Sequence, residues 1–201
     1  NFKMESAGEY LAIIRPDGTS IDNSFHPSFP EQFADISYGS QSIDGARAFF
    51  SLPTPNEANG SGVPGVVKDT NFSMKRGFYD APFRVAVTND TPGTIIRYTL
   101  DGSRPSESDG NVYTEPVLVD TTTTLRAIAY RPGWLSSNID TQPYIFVDDV
   151  AQQPANPPGW PVDWSNSGDP SAIHPADYEM DPRVVRNTLP GYGIREALLD
   201  I

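Results

Sequence analysis

The residues able to do proton, nucleophile or metal chemistry are scattered. The chain carries 26 carboxylates, two histidines and no cysteine, which excludes thiol nucleophiles, disulfides and zinc–thiolate sites. His26 and His174 each precede a proline in loop-like sequence. A Ser-His-Asp triad needs one of them beside an activated serine, and no G-x-S-x-G elbow is present. Two lone histidines also fall short of a zinc ligand set. Asp148 and Asp149 are adjacent, whereas a glycosidase needs two carboxylates across one cleft, one with its pKa raised by burial. At a strand end neighbours face opposite ways, so this pair reads as solvated linker. Asp101, Asp109 and Asn111 share one connection and offer the oxygen ligands calcium takes. Their spacing does not fit D-x-[DN]-x-[DN]-G. The sequence thus nominates no catalytic, cofactor-binding or metal-binding residue, and the chain is read as not an enzyme.

Trp134, Trp160 and Trp164 are the remaining candidates, because flat amphipathic rings suit pyranose faces. Trp134 follows the turn Arg131-Pro132-Gly133 and is the candidate carbohydrate-stacking residue. In the competing assignment Trp134 caps a core while Trp160 and Trp164 pin a proline-rich segment. The second is favoured, since no cluster of polar hydrogen-bonding groups accompanies the rings.

The bulk numbers narrow the partners. Net charge is −12, which repels phosphate backbones and anionic membrane surfaces, so nucleic acid is a poor partner. No apolar run approaches the ~20 residues that span a bilayer. Hydrophobic residues make 37% of the chain, with 16 Gly and 20 Pro, a composition of short strands and many turns. The chain opens at Asn1 without Met and is expected to be an excised fragment.

Patterning defines the elements that would position these side chains. Phe83, Val85 and Val87, then Ile96, Tyr98 and Leu100, then Leu125, Ala127 and Ala129 each recur with period two, as a half-buried sheet requires. Further strands are expected at Val66–Phe72, Val117–Asp120 and Tyr144–Val147. The turns Thr91-Pro92-Gly93, Asp101-Gly102-Ser103 and Arg131-Pro132-Gly133 separate them. About seven short strands in this span predict a β-sandwich, with a core that adds Tyr144 to the three triplets. Earlier, Tyr10–Ile14, the turn Arg15-Pro16-Asp17-Gly18 and Thr19–Asp22 predict a hairpin, and Arg47–Leu52 a further strand. Later, Pro154, Pro157, Pro158 and Pro161 favour an irregular tail. Asp181-Pro182 predicts an N-cap with proline at the first helical position. Ile194, Ala197, Leu198 and Ile201 have helical spacing. The expected divisions are residues 1–60, 61–148 and 149–201.

Three stretches resemble known families. Arg97-Tyr98-Thr99-Leu100-Asp101-Gly102-Ser103-Arg104-Pro105, Val112-Tyr113-Thr114-Glu115-Pro116-Val117 and Thr124-Leu125-Arg126-Ala127-Ile128-Ala129-Tyr130 resemble, in order and spacing, the C-terminal domain of chitobiases and β-hexosaminidases. The resemblance covers about residues 72–147. It implies an immunoglobulin-like sandwich found in bacterial extracellular proteins, whose catalytic carboxylates would belong to a separate domain. Gly8 to Ile14, Pro16-Asp17-Gly18, Phe29-Pro30-Glu31-Gln32 and Asp35 to Gly39 resemble the C-terminal half of a bacterial lamin-tail-like domain. Ala176 to Pro182 and Ile194 to Ile201 are similar to the lead-in of a spore-coat-protein-H-like kinase region, whose nucleotide and metal sites would lie beyond Ile201.

The expected fold is therefore all-β, an immunoglobulin-like β-sandwich with an N-terminal partial β-domain and an irregular Pro-rich C-terminal tail. The expected function is a non-catalytic spacer or adhesion module of a secreted bacterial surface protein, extracellular or at the cell surface. Its partners would be the neighbouring domains of the same polypeptide, and polysaccharide or other surface proteins. The alternatives are a carbohydrate-binding module built on Trp134, or an accessory region of an adjacent glycosidase or coat-protein-type kinase.

Overall fold

The computed structural model describes residues 3–42, 45–164 and 174–199. By its internal contacts the chain divides into two units: Asn1–Val67 with Arg131–Ser136, and Lys68–Tyr130 with Ser137–Ile201.

The first unit has two hairpins. Strands β1 (Leu11–Ile14) and β2 (Ile21–Phe25) pair antiparallel. Asp17 closes their turn by accepting the N–H groups of Thr19 at 2.9 Å and Ser20 at 2.8 Å, and Gly18 supplies the positive φ of 72°. Strands β3 (Ser37–Ser40) and β4 (Arg47–Phe50) form the second hairpin. Aromatic side chains fill the interior of the unit. Phe25 meets Phe29 edge-on at 6.2 Å, and Tyr38 lies 4.8 Å from Phe49. Phe29, Ala48, Phe49 and Phe50 are buried.

The second unit is the sandwich. Its elements begin with β5 (Asn71–Phe72), β6 (Gly77–Tyr79), β7 (Phe83–Val85), β8 (Val87–Thr88) and β9 (Ile95–Thr99). They continue with β10 (Asn111–Val112), β11 (Val117–Val119), β12 (Thr123–Tyr130) and β13 (Asp140–Phe146). One sheet has five strands in the order β10-β9-β12-β13-β6, while β11-β7 and β5-β8 are separate pairs. The two layers meet on Val85, Val87, Val119, Leu125, Ala127, Tyr144 and Phe146, with Phe83, Ile96 and Tyr98 packed around them. This is the all-β sandwich that the alternating triplets predict, with the immunoglobulin-like architecture that the family resemblance implies.

Three local differences from the sequence reading have physical causes. The Phe83–Val87 alternation holds, but the strand changes partner at Ala86, with β7 pairing β11 and β8 pairing β5. Ala86 donates its N–H to Ser73 Oγ at 2.8 Å and accepts from the Ser73 N–H at 2.9 Å. Leu100, expected in the core, is exposed. Pairing of β9 with β12 stops at Thr99, where the buried hydroxyl donates to Ser103 O at 2.7 Å and starts the turn. Val147, expected to end a strand, instead opens the helical turn α1 (Val147–Ala151).

In the tail, α2 (Pro182–Val185) begins as expected. Asp181 caps it by accepting the Arg183 N–H at 2.8 Å, with proline at the first helical position. Helix α3 spans Ile194–Leu199 with Ile194 buried, and Ile201 lies outside the described residues. Among the described residues no helix is long and apolar enough to cross a membrane.

Candidate functional site

Asp101 and Asp109 are turned towards their own loop. Asp101 accepts both the N–H and the hydroxyl of Ser103, at 3.0 and 2.6 Å. Asp109 accepts the hydroxyls of Ser106 at 2.7 Å and Ser108 at 3.1 Å. Asn111 starts β10 opposite Tyr98. The hydroxyl of Ser103 holds the Asp101 carboxyl below its ordinary pKa, and those of Ser106 and Ser108 do the same for Asp109. Among the described residues no group of three or more His, Cys, Asp or Glu is arranged to hold a metal ion. Asp101 and Asn111 line an open groove of about 640 Å³ together with Asp120, Thr99 and Thr121.

Asp148 and Asp149 lie on α1 rather than on an extended strand, because the chain turns helical at Val147. Successive side chains there are ~100° apart. Asp149 accepts the Thr122 N–H at 2.6 Å and the Thr121 hydroxyl at 2.9 Å. The Thr122 N–H in particular keeps its carboxyl ionised below the usual range.

A general acid needs a raised pKa. The shifts resolved for Asp17, Asp101, Asp109, Asp149 and Asp181 all run downwards. Hydrogen bonds to the charged form cause each shift. A carboxyl with a depressed folded pKa adds stability above its unfolded value and loses it as pH falls through the folded one. Asp17, held at about 2 by Ser20 and Thr19, should therefore keep the first hairpin's turn closed well below the ordinary carboxylate range. Proton chemical shifts of the Thr19 and Ser20 amides, followed during acidification, should move only near that value. Movement centred at ~4 would show that the bonds are not formed.

The histidines belong to different units. His26 meets the Tyr10 ring edge-on at 6.2 Å in the first unit. His174 accepts the Trp164 N–H on its carbonyl at 2.8 Å in the second.

The three tryptophans separate in the same way. The turn carrying Trp134 groups with the first unit. The Arg131 guanidinium lies over the Trp134 ring, 4.4 Å from its centroid. The ring also abuts Gly65, where an added Cβ would come 2.2 Å from Cζ3. This half-buried ring thus carries a cation contact and packs against a glycine. Trp160 and Trp164 meet Tyr178 edge-on at 5.1 and 5.4 Å, and the Trp164 indole N–H donates to the Tyr178 hydroxyl at 3.1 Å. They pin the strap in which the Ala176 N–H donates to Val162 O at 3.0 Å and the Tyr178 N–H to Ala155 O at 3.0 Å. Both rings remain more than half exposed. Tyr178 as the hub of this cluster escaped sequence reasoning, because it joins rings that no local periodicity links.

The fold and these sites define an all-β, immunoglobulin-like module. Residues 74–141, the stretch from within the β5–β6 connection into β13, match the family model of the chitobiase/beta-hexosaminidase C-terminal domain. No curated protein and no solved structure matches the chain.

Proposed function

We propose that the sandwich is a non-catalytic spacer or adhesion module of a larger secreted bacterial surface protein. The family match over residues 74–141 carries this reading, because it coincides with the best-packed part of the chain. Hydrogen bonds that hold Asp101, Asp109 and Asp149 below the ordinary carboxylate range also support it. On this reading residues 1–60 are part of a lamin-tail-like domain, residues 61–148 hold the sandwich, and residues 149–201 lead into a coat-protein-H-like kinase region. An antibody raised against the chain should label intact cells of the source organism. Labelling only after permeabilisation would rule out the surface placement.

A second reading, carbohydrate binding, draws support from the exposure of Trp160 and Trp164. Titration with chitin oligomers separates the two. A passive connector leaves tryptophan emission unchanged, whereas stacking on Trp134, Trp160 or Trp164 gives a saturable shift that the corresponding alanine variant loses.

A further inference from the structure

We propose that the sandwich bears tension, through a shear clamp between the segment by which the chain enters it and the strand by which it leaves. This rests on the connector reading and gives that connector a mechanical task. The entry segment, residues 69–79, and the exit segment, residues 138–146, are joined by several ties and run parallel where residues 77–79 pair with 144–146. Asp69 accepts the Asn138 N–H at 3.0 Å and its side-chain amide at 3.3 Å. Asp140 accepts the Thr70 N–H at 2.9 Å and its hydroxyl at 2.5 Å. Gln142 Oε1 accepts the Arg76 N–H at 2.9 Å, and the Tyr144 hydroxyl donates to Met74 O at 2.9 Å. The series ends in a parallel ladder in which Tyr144, Ile145 and Phe146 pair with Gly77, Phe78 and Tyr79. Tyr79 also meets Tyr144 edge-on at 5.8 Å.

Direction decides how such a set responds to load. Force on a connector pulls the entry segment from its N-terminal end and the exit strand from its C-terminal end. Two parallel segments held that way slide along each other, so every tie between them is loaded at once. In a hairpin pulled from its open end the ties break one after another. β6 is the only strand joined to the five-stranded sheet in parallel among the described residues; the other pairs in that sheet are antiparallel. The ties formed by Asp69, Thr70, Gln142 and Tyr144 use residues outside the 74–141 family match. The parallel contact lies in the plane of the five-stranded sheet, backed by the core residues Tyr144 and Phe146. Extension must therefore shear it before the buried layer can open.

The test is single-molecule force spectroscopy on the full chain, held by handles at its two ends. The expected record is one high-force rupture that releases the chain from the entry segment to Phe146, roughly 250 Å at ~3.3 Å per residue, after the tail has extended at low force. At constant force, Gln142→Ala and Tyr144→Phe should each raise the unfolding rate about fivefold, as losing one hydrogen bond implies. Arg84→Ala is the control, since it removes the bond from Arg84 to Pro116 O between β7 and β11. It should leave the forced-unfolding rate unchanged whatever it does to the thermal melt. Stepwise low-force extension, or equal effects of clamp and control variants, would overturn the clamp. Either result would leave the connector reading to its own tests of surface labelling and turnover.

Discussion

Tyr144→Ala should destabilise the sandwich by about 4 kcal/mol, within the range for deleting a large buried aromatic side chain. Tyr144 is fully buried, and its ring meets Tyr79 at 5.8 Å and Phe83 at 5.2 Å, both edge-on. Its hydroxyl donates to Met74 O at 2.9 Å, and burial pushes the phenol's pKa well above its ordinary value. Alanine would leave a cavity between the layers and take the partner from the Met74 carbonyl. A domain is stable by only ~5–15 kcal/mol, so the loss is a large share of the total. Tyr144→Phe keeps the ring and loses the single hydrogen bond, a cost of about 1 kcal/mol. Urea unfolding followed by far-UV circular dichroism gives both values. Similar midpoints for the two variants would show that the ring is not the centre of the core.

Gly8→Ala should have the largest effect in the first unit, about 3 kcal/mol, from backbone strain together with overpacking. Gly8 has φ +100°, and an added Cβ would sit 2.2 Å from Phe29 O. That oxygen is backbone, and the Phe29 N–H is tied to Glu9 O at 3.0 Å, so the neighbour has little room to give. Displacing Phe29 would disturb its edge contact with Phe25. Gly18→Ala isolates the strain contribution, since Gly18 has φ +72° with nothing within 4 Å of an added Cβ. It should cost about 1 kcal/mol. Hydrogen exchange of the amides in β1 to β4 distinguishes these outcomes. Equal protection in Gly8→Ala and wild type would mean that Phe29 is not fixed where the structure places it.

Much of the sandwich was legible because its central strands alternate cleanly. Leu125, Ala127 and Ala129 are fully buried on β12, and period-two spacing is the one signal that survives without knowing the partner strands. The start of β13 was not legible. Asp140, Thr141, Gln142 and Pro143 are polar or lack an N–H, and the expected strand begins only at Tyr144. They pair with β12 because Asp140 and Gln142 hold the entry segment instead of facing water. Leu100 and Val147 show the converse. Each continues an apolar pattern beyond the residue where ladder pairing ends, and sequence cannot tell where a partner strand stops. In the candidate site, the inward turn of Asp101 and Asp109 depends on serines two or three residues away, a local signal that sequence could have used. Trp134 differs, because its contact with Gly65 is long-range and nothing near either residue announces it.

The central claim, that this module does no chemistry, is met most directly by a turnover measurement on the purified chain. A chromogenic β-hexosaminide serves as the probe, chosen from the name of the matched family model. A connector gives no release above a protein-free blank from acid to neutral pH. Release proportional to protein concentration, and abolished by Asp149→Asn or Asp101→Asn, would contradict it and place catalytic carboxylates within this chain.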